Sequence, residues 1–499
     1  MLRSAVTLAG AGEVDRAARI LSDALHQWPN HPGLLAGLAG VRLRQGRPAE
    51  AEVLADLLIR VDPASDHGWE LLAASRYLQD DTRGALRAWR HLRPPVVREM
   101  EVRVLAYNGP RVSDTGTDPT RLTGIAKGRS LTVEELVRGE RRLEALPAAW
   151  RARLGYRALP GRDAALDGTV VLGAGNPFTW SGMVAHGLRA LVGRVYIVSS
   201  DPLGRLERWE FSGDVRGTTH SVALALAHPA PLPSGVWRWV VEHETGRYGS
   251  FGRAEAVSER RSGVEWSHTD WVTASLRGSV HGRVDARPGR GTFAGVGLGW
   301  TLLSLSGRSS IRLEGTGWTK VGGSGDGAPD QATRFGRVAL DAAIHPADPP
   351  GMAGPSGLSL RAGILTISPG APHDLFPRIG AGGTASLLMR ARSDLDDDGV
   401  VRPLFPGRTW LHGGVEVLRS VGALGPVGFG VAAFVDGVRV LGPAPGAVDP
   451  AQRRGAVHLG GGMRLRVPVV AGWLRADWGI DPVDGASTIS LAWVFGASR

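Results

Sequence analysis

The sequence predicts a three-part chain. An α-helical repeat array covers residues 1–98, a small α/β module covers 99–172, and a large antiparallel transmembrane β-barrel of about sixteen strands covers 173–499. Three observations lead there. Short motifs recur at a fixed spacing near the N-terminus. One amphipathic segment with a hydroxyl cap follows, set among strand-like stretches. Beyond it the apolar period drops from helical to two.

The repeats come first. Gly12-Glu-Val-Asp-Arg-Ala17, Gly46-Arg-Pro-Ala-Glu-Ala51 and Asp80-Asp-Thr-Arg-Gly-Ala85 align at offsets of 34 (46 − 12, 80 − 46), and Pro29 and Pro63 share that offset. The third unit adds Trp69, Leu72 and Ala73 on its first helix. Such a period, with a small residue where two helices cross and a proline after the second helix, is the tetratricopeptide pattern. Ala17, Ala51 and Ala85 are the packing residues, because a larger side chain would push the paired helices apart. The first unit is expected to lack most of its leading helix. A single unit cannot bury its apolar face, so about three make a minimal array. The array reads either as a groove for a peptide or protein or as a spacer.

In the next stretch, Val102 to Ala106 reads as a strand. Ser130-Leu-Thr-Val-Glu-Glu135 reads as a helix start, a hydroxyl followed by first-turn carboxylates. The helix runs through Leu136, Leu143 and Leu146 and ends near Pro147. Strands Arg153 to Ala158 and Ala165 to Val171 are joined by Pro160-Gly161. The string Leu131-Thr-Val-Glu-Glu-Leu-Val-Arg-Gly-Glu-Arg-Arg-Leu-Glu-Ala-Leu-Pro147, followed by Ala152-Arg-Leu-Gly-Tyr-Arg157, resembles a POTRA (polypeptide-transport-associated) domain. The resemblance implies a module before a barrel that handles client chains by strand addition. A plain βαβ-type linker domain is the other reading.

From about residue 173 the pattern alternates. In Trp271 to Val284, read as one strand, the valines, Ala274 and Leu276 alternate with Thr273, Ser275, Arg277, Ser279, His281 and Arg283. Ile311, Leu313 and Val321 oppose Arg312, Glu314 and Lys320. Val338, Leu340 and Ile344 oppose Arg337 and Asp341. Met463, Leu465 and Val467 oppose Arg464 and Arg466. Ile489, Leu491, Trp493 and Phe495 share the last face. Segments of about ten residues, apolar on one side and charged on the other, are the signature of a barrel facing lipid outside and water inside. Soluble sandwich strands are usually shorter, about five to six residues. Trp209, Trp237, Trp239, Trp266, Trp271, Trp300, Trp318, Trp410, Trp473, Trp478 and Trp493 fall near strand ends, and part of them suits interfacial girdles.

Composition narrows the function classes. The chain has no cysteine, which removes disulfides, thiolate metal sites and cysteine nucleophiles. Its net charge is +10, but the cations are arginines apart from Lys127 and Lys320 and are spread singly along strands, so nucleic acid is not an expected partner. No apolar run reaches the length of a membrane-spanning helix. Met1 to Gly12 is too short for a complete secretory signal, so a leader is expected upstream.

The most specific match lies near the C-terminus. Thr409-Trp-Leu-His-Gly-Gly-Val-Glu-Val-Leu418, Val431-Ala-Ala-Phe-Val-Asp-Gly437, Gly460-Gly-Gly-Met-Arg-Leu-Arg-Val-Pro468 and Trp473-Leu-Arg-Ala-Asp-Trp-Gly479 occur in that order. The series resembles the closing strands of the BamA/TamA-type bacterial surface antigen (outer-membrane protein assembly) superfamily. That resemblance implies a 16-stranded barrel with a long loop tucked into its lumen. It also implies a pair between the loop arginine, here Arg390 of Met389-Arg390-Ala391-Arg392, and the aspartate of the Phe-Val-Asp-Gly strand, here Asp436. Alanine stands where the family's loop has glycine, and arginine where it has an aromatic. Arg392, Glu416, Arg464, Arg466, Arg475 and Asp477 are further candidate lumen-facing residues. Asp394-Leu-Asp-Asp-Asp-Gly399 matches the start of a calcium loop through Asp394, Asp396 and Asp398, but the twelfth position is Phe405 rather than a bidentate glutamate. No other metal and no cofactor is expected, and no catalytic constellation is present, so the chain does not read as an enzyme.

The expected function is assembly, insertion or translocation of proteins at the cell outer membrane. Membrane lipid surrounds the barrel. Unfolded client proteins and periplasmic partners meet the periplasmic repeats and POTRA-like module. An exopolysaccharide-export porin is the alternative, because an arginine-lined lumen suits an acidic polymer. A structural outer-membrane scaffold is the third reading.

Overall fold

The computed structural model describes residues 2–494 except 107–117, 174–182, 184–192, 232–233, 250–254, 305–307, 324–331, 345–356, 379–388, 403–404, 406, 425–426, 442–454 and 467–472. The chain forms two compact units. The first comprises Met1–Arg103, Asp118–Leu143 and Ala152–Thr169. The second comprises Val104–Thr117, Glu144–Arg151 and Val170–Arg499.

The first unit begins with three helix pairs: α1 (Leu2–Gly10) with α2 (Val14–Gln27), α3 (Pro32–Arg44) with α4 (Pro48–Val61), and α5 (Asp66–Leu78) with α6 (Thr82–Trp89). The first pair has a leading helix after all, nine residues long, against thirteen for α3 and α5. Ala17, Ala51 and Ala85 are fully buried at the helix crossings. The same period sets the turns. Gly12 (φ +88°), Gly46 (φ +68°) and Asp80 (φ +60°) each take the left-handed conformation that reverses the chain between paired helices. Glycine reaches it without penalty, and aspartate is among the side chains that tolerate it. In the third unit the neighbouring Asp81 accepts a hydrogen bond from the backbone N–H of Gly84 (2.9 Å) and so caps α6.

The α/β part contributes β1 (Val96–Leu105), α7 (Pro119–Thr123), α8 (Val133–Glu144), β2 (Ala149–Leu159) and β3 (Asp163–Leu172), in a sheet of order β1-β3-β2. The predicted helix start is a reciprocal capping box. The Thr132 hydroxyl accepts from the Glu135 N–H (3.1 Å), and the Glu135 carboxylate accepts from the Thr132 N–H (2.9 Å). Gly139 lets α8 approach its neighbours closely, since a Cβ there would lie 2.8 Å from Ile125 and 3.1 Å from Leu154. The last repeat rests on β2. Tyr156 packs 5.7 Å from Tyr77 and 5.6 Å from Trp89 between ring centroids, and the Tyr77 hydroxyl accepts from the Ala158 N–H (3.3 Å). Burial pushes the Tyr156 hydroxyl pKa up. Repeats and α/β part thus share one apolar junction.

The second unit carries a sheet of fifteen described strands, each antiparallel to the next. They are β4 (Arg194–Ser200), β5 (Arg208–Arg216), β6 (Thr219–Pro229), β7 (Val236–Gly249), β8 (Ala256–Trp271), β9 (Leu276–Arg287), β10 (Gly291–Leu303), β11 (Ser309–Gly322), β12 (Arg334–Ile344), β13 (Gly357–Ile367), β14 (Thr409–Leu424), β15 (Val427–Leu441), β16 (Gly455–Arg466), β17 (Trp473–Ile480) and β18 (Ser487–Val494). The odd-numbered strands from β5 start at one rim, here the lower rim, and end at the upper rim. The stretch read as one strand from Trp271 to Val284 is instead a hairpin. β8 stops at Trp271, and the Thr273 hydroxyl accepts from the N–H groups of Ser275 (3.2 Å) and Leu276 (3.0 Å) to turn the chain into β9. The turn residues keep the apolar–polar alternation, so periodicity alone could not mark the break.

Alternation sorts the two faces. On β10, Val296, Leu298, Trp300 and Leu302 are exposed outward, Val296 by 66 %. The inward positions are Phe293, Gly295, Gly297 and Gly299, all buried. The glycines have a use. A Cβ at Gly297 would meet the His281 ring, and without it His281 Nε2 and Thr316 Oγ1 hydrogen-bond across β10 at 2.8 Å. Trp209, Trp237, Trp239, Trp266 and Trp300 occupy outward positions near the lower rim. Trp271, Trp318 and Trp410 are buried instead, and Trp410 belongs to the interior core. The side chains of Trp473 and Trp493 lie outside the described residues.

The helix crossings make a direct prediction. Ala51→Leu overpacks the α4 crossing and lowers the stability of the repeat unit by about 1–3 kcal/mol. Denaturant titration of the helical circular dichroism signal checks it, and an unchanged midpoint contradicts the packing role.

Candidate functional site

The described residues of the connection between β13 and β14 (368–378, 389–402, 405 and 407–408) turn back into the barrel. They touch the inner sides or upper ends of β5, β7, β8 and β9, and also β14 to β17. One segment can meet both groups of strands only if the sheet curls around it. The connection is therefore a strap lying inside a barrel wall.

Its first anchor is Arg390, 1 % exposed. Nε and Nη2 donate to the two oxygens of Asp436 on β15 (2.7 and 2.9 Å), a bidentate pair. Nη1 donates to Glu416 on β14 (2.6 Å) and reaches Asp477 on β17 (3.4 Å). The guanidinium carbon sits 3.4 Å from the centroid of the Phe434 ring, a cation–π contact on the same strand as Asp436. Burial works against this charge, but the Asp436 hydrogen bonds and the charges of Asp436 and Glu416 outweigh it and raise its pKa. Glycines make the room. A Cβ at Gly479 would lie 2.8 Å from the Ala391 nitrogen, so the strap backbone rests on β17 only because none is there. Gly460 leaves space for the Phe434 ring, and Gly414 for the Asp436 carboxylate. Beside this anchor, the Ala391 N–H donates to Nδ1 of the buried His458 (3.2 Å), whose Nε2 lies 3.5 Å from Asp481.

A second anchor grips the opposite wall. Arg287 of β9 donates twice to Asp374 (2.8 and 3.0 Å), and Arg261 of β8 lies 3.3 Å from the same carboxylate. His373 Nδ1 lies 2.9 Å from Glu259, and Arg378 donates to Glu244 (2.6 Å) and Tyr248 (2.9 Å). Burial alone would raise the Asp374 pKa. The Arg287 hydrogen bonds, with the charges of Arg287, Arg261 and Arg283, hold it below the usual aspartate range.

A third contact ties the strap to the upper ends of β5 to β7. Asp394 is buried against Arg216. The carbonyl of Gly399 accepts from the Thr218 N–H (2.8 Å), and Val401 forms a parallel bridge with Tyr248. Gly217 and Gly399 meet backbone to backbone, both at positive φ, where any side chain would collide. Between the anchors the lumen is filled with apolar groups. Met389, Ala371 and Phe405 of the strap pack with Phe293, Trp318, Phe335, Leu365, Ile367, Trp410, Val438 and Val440 of the wall. This part of the interior is a packed core and not a watery bore.

The residues singled out from sequence fall as follows. Arg390, Asp436, Glu416 and Asp477 converge. Arg475 lies 3.0 Å from Asp477. Arg392 turns to Asp481 and Asp484 at the β17–β18 turn. Arg464 and Arg466 lie on β16, and their side chains are outside the described residues. The three calcium candidates do not converge. Asp394 faces Arg216, Asp396 faces Arg402 (2.5 Å), and Asp398 is exposed. Among the described residues no acidic or histidine group is arranged to hold a metal. Sequence reading missed Asp374, Arg287, Arg261 and His458. The strap has no periodicity to mark Asp374, and its partner lies 87 positions away.

Two measurements follow. Arg390→Ala takes the bidentate cation from the buried Asp436, a loss of about 3–5 kcal/mol for a buried pair, so the strap should become open to trypsin at Arg392 and Arg402. Equal resistance in variant and parent removes Arg390 as an anchor. The second concerns pH. A depressed folded-state pKa gives stability that is present above the ordinary aspartate value, about 3.9, and is lost as pH falls through the folded value. Hydrogen exchange in residues 368–378, corrected for intrinsic rates, should therefore stay slow at mildly acid pH and quicken only below the ordinary aspartate range. In Asp374→Asn it should be fast at neutral pH.

Comparison with known proteins agrees with this architecture. Residues 8–74 match the tetratricopeptide repeat family model. No curated protein matches the sequence. Among solved structures, CdiB from Escherichia coli is similar with a TM-score of 0.50 and 13 % identity, over 79 % of this chain and 75 % of that one. BamA from Haemophilus ducreyi lacking POTRA domains 1–3 is similar at a TM-score of 0.43 and 12 % identity, over 80 % of this chain and 83 % of that one. The globular C-terminal domain of P. aeruginosa LpoP matches 18 % of this chain and 89 % of its own at 35 % identity, with a TM-score of 0.18. The chain thus carries tetratricopeptide repeats ahead of a barrel that shares the fold of CdiB.

Proposed function

We propose that the chain is an outer-membrane barrel that inserts or translocates polypeptides, with the repeats and the POTRA-like part meeting client chains in the periplasm. The observation that carries this reading is Arg390. It is a buried cation on an irregular segment, held inside the barrel by carboxylates of three wall strands. Irregular backbone at membrane depth is tolerated only where protein surrounds it. A strap held by side-chain contacts, and not by a sheet ladder of its own, can be released without dismantling the wall.

Lipid as the surrounding medium is supported by the outward side chains. Val296, Leu298, Ile311, Leu313, Val338 and Leu340 form a contiguous exposed apolar surface of a kind soluble proteins rarely show. No described helix is long and apolar enough to cross a membrane. Outward tryptophans near the lower rim suit an interface. The export-porin alternative needs a hydrated path, and the apolar core around Met389 and Phe405 blocks one while the strap is in place.

A deletion strain tests the reading. Quantitative comparison of its outer-membrane and secreted proteins with the parent should show specific polypeptides lost. The wild-type gene should restore them, and Arg390→Ala should restore them poorly. An unchanged protein profile refutes the proposal. A changed surface polysaccharide beside an unchanged protein profile moves the assignment to export.

A further inference from the structure

The lumen is polarised along its axis. In the upper half, Arg261, Arg283 and Arg287 interlock with Glu242, Glu244, Asp285 and Asp374, and charges of both signs are matched. The lower half differs. Each odd strand from β5 to β13 carries an arginine on its inward face within its first five residues: Arg208, Arg238, Arg277, Arg312 and Arg361. Register places a small neutral residue between the members of two neighbouring pairs. Arg208 and Arg238 flank Ala227, and Arg277 and Arg312 flank Thr301. Two strand spacings put such neighbours about 10 Å apart.

Carboxylates are fewer here. Arg208 and Arg238 share Glu210 (2.8 and 3.3 Å), and Arg312 faces Glu314 (2.5 Å) and stands opposite Asp341 of β12 in register. Among the described residues Arg277 has no carboxylate within ion-pair distance. Nor are these guanidinium groups sealed: the side chains of Arg238 and Arg312 are 42 % and 63 % exposed on a face that the apolar belt does not share.

We propose that this arc is a cationic vestibule that receives an extended acidic segment of polypeptide. The occupant rests on the reading above that the barrel handles protein chains. The spacing suits it, since a polyproline-II chain, with three residues per turn at about 3.1 Å each, presents every third side chain on one face about 9 Å apart. Each carboxylate would meet a guanidinium, the fork geometry that binds carboxylates best. A glycan fits less well. Between β5 and β13 the inward tryptophan of this rim, Trp271, is 4 % exposed, so it offers no open face for a sugar ring.

The test uses the full chain in nanodiscs of zwitterionic lipid. The probes are a fluorescein-labelled peptide with glutamate at every third position, the matched glutamine peptide, and an oligouronate as competitor. The acidic peptide should bind at least about tenfold tighter than the glutamine peptide and weaken with salt. R277Q/R312Q should lose about tenfold or more, while Arg439→Gln, exposed on the outward face, should change nothing. Single R312Q, at an exposed position, should lose part of the binding and serves if the double variant fails the heat-modifiability check of folding. Equal binding of both peptides, or a folded R312Q and R277Q/R312Q that bind as the parent does, overturns the vestibule and leaves the deletion-strain result for the barrel standing. An oligouronate that displaces the peptide at a tenth of its concentration overturns the polypeptide occupant.

Discussion

A guanidinium removed from water must be met by acceptors on every side it presents, and Arg390 meets that demand with groups from three separate strands. Asp436, Glu416 and Asp477 stand on β15, β14 and β17, so their convergence requires the closing strands to keep one register and one curvature. The strap then has a defined depth in the lumen. Its remaining contacts follow: Met389 and Phe405 reach the apolar core, Asp394 reaches Arg216, and Asp374 reaches Arg287 on the far wall. Replacing one such charge is far more damaging than omitting the whole set would be, because a buried partner such as Asp436 then loses its counter-charge.

Glycine is the complement of these charges. A barrel wall offers its interior only the volume its inward side chains leave, and this wall leaves it where the strap runs. Gly479 takes strap backbone, Gly460 takes the Phe434 ring, and Gly217 takes the carbonyl of Gly399. On β10 the inward glycines serve neighbours instead, and the His281–Thr316 bridge crosses over Gly297. These inward glycines therefore mark the points of close approach.

The interior combines two environments that call for different physics. Around the strap, apolar packing and paired charges exclude water and hold one arrangement. Toward the lower rim, arginines outnumber carboxylates, and Arg238 and Arg312 remain open to solvent. Such a field attracts an anionic chain without requiring a preformed pocket. The repeats and the α/β part are built on another rule, in which a strict period places small residues at helix crossings and left-handed residues at turns.

Local rules were enough for much of this chain. The 34-residue period disclosed the helix pairs, because alanine at a crossing and glycine at a reversal are steric necessities that any copy must repeat. Asp80 in the glycine position shows the limit, since its backbone conformation appears only in the fold. Alternation disclosed the strands and their outward faces, because lipid and lumen impose opposite chemistry on successive residues. It misplaced the β8–β9 turn, where hydroxyl hydrogen bonds reverse the chain without disturbing the pattern. The Arg390–Asp436 pair was legible only through resemblance. Asp374 with Arg287, the core around Met389 and the arc of lower-rim arginines were decided by tertiary structure alone. These groups lie far apart in sequence on strands that only barrel curvature brings to one axis, and nothing in a linear pattern records which inward residues will face each other across a lumen.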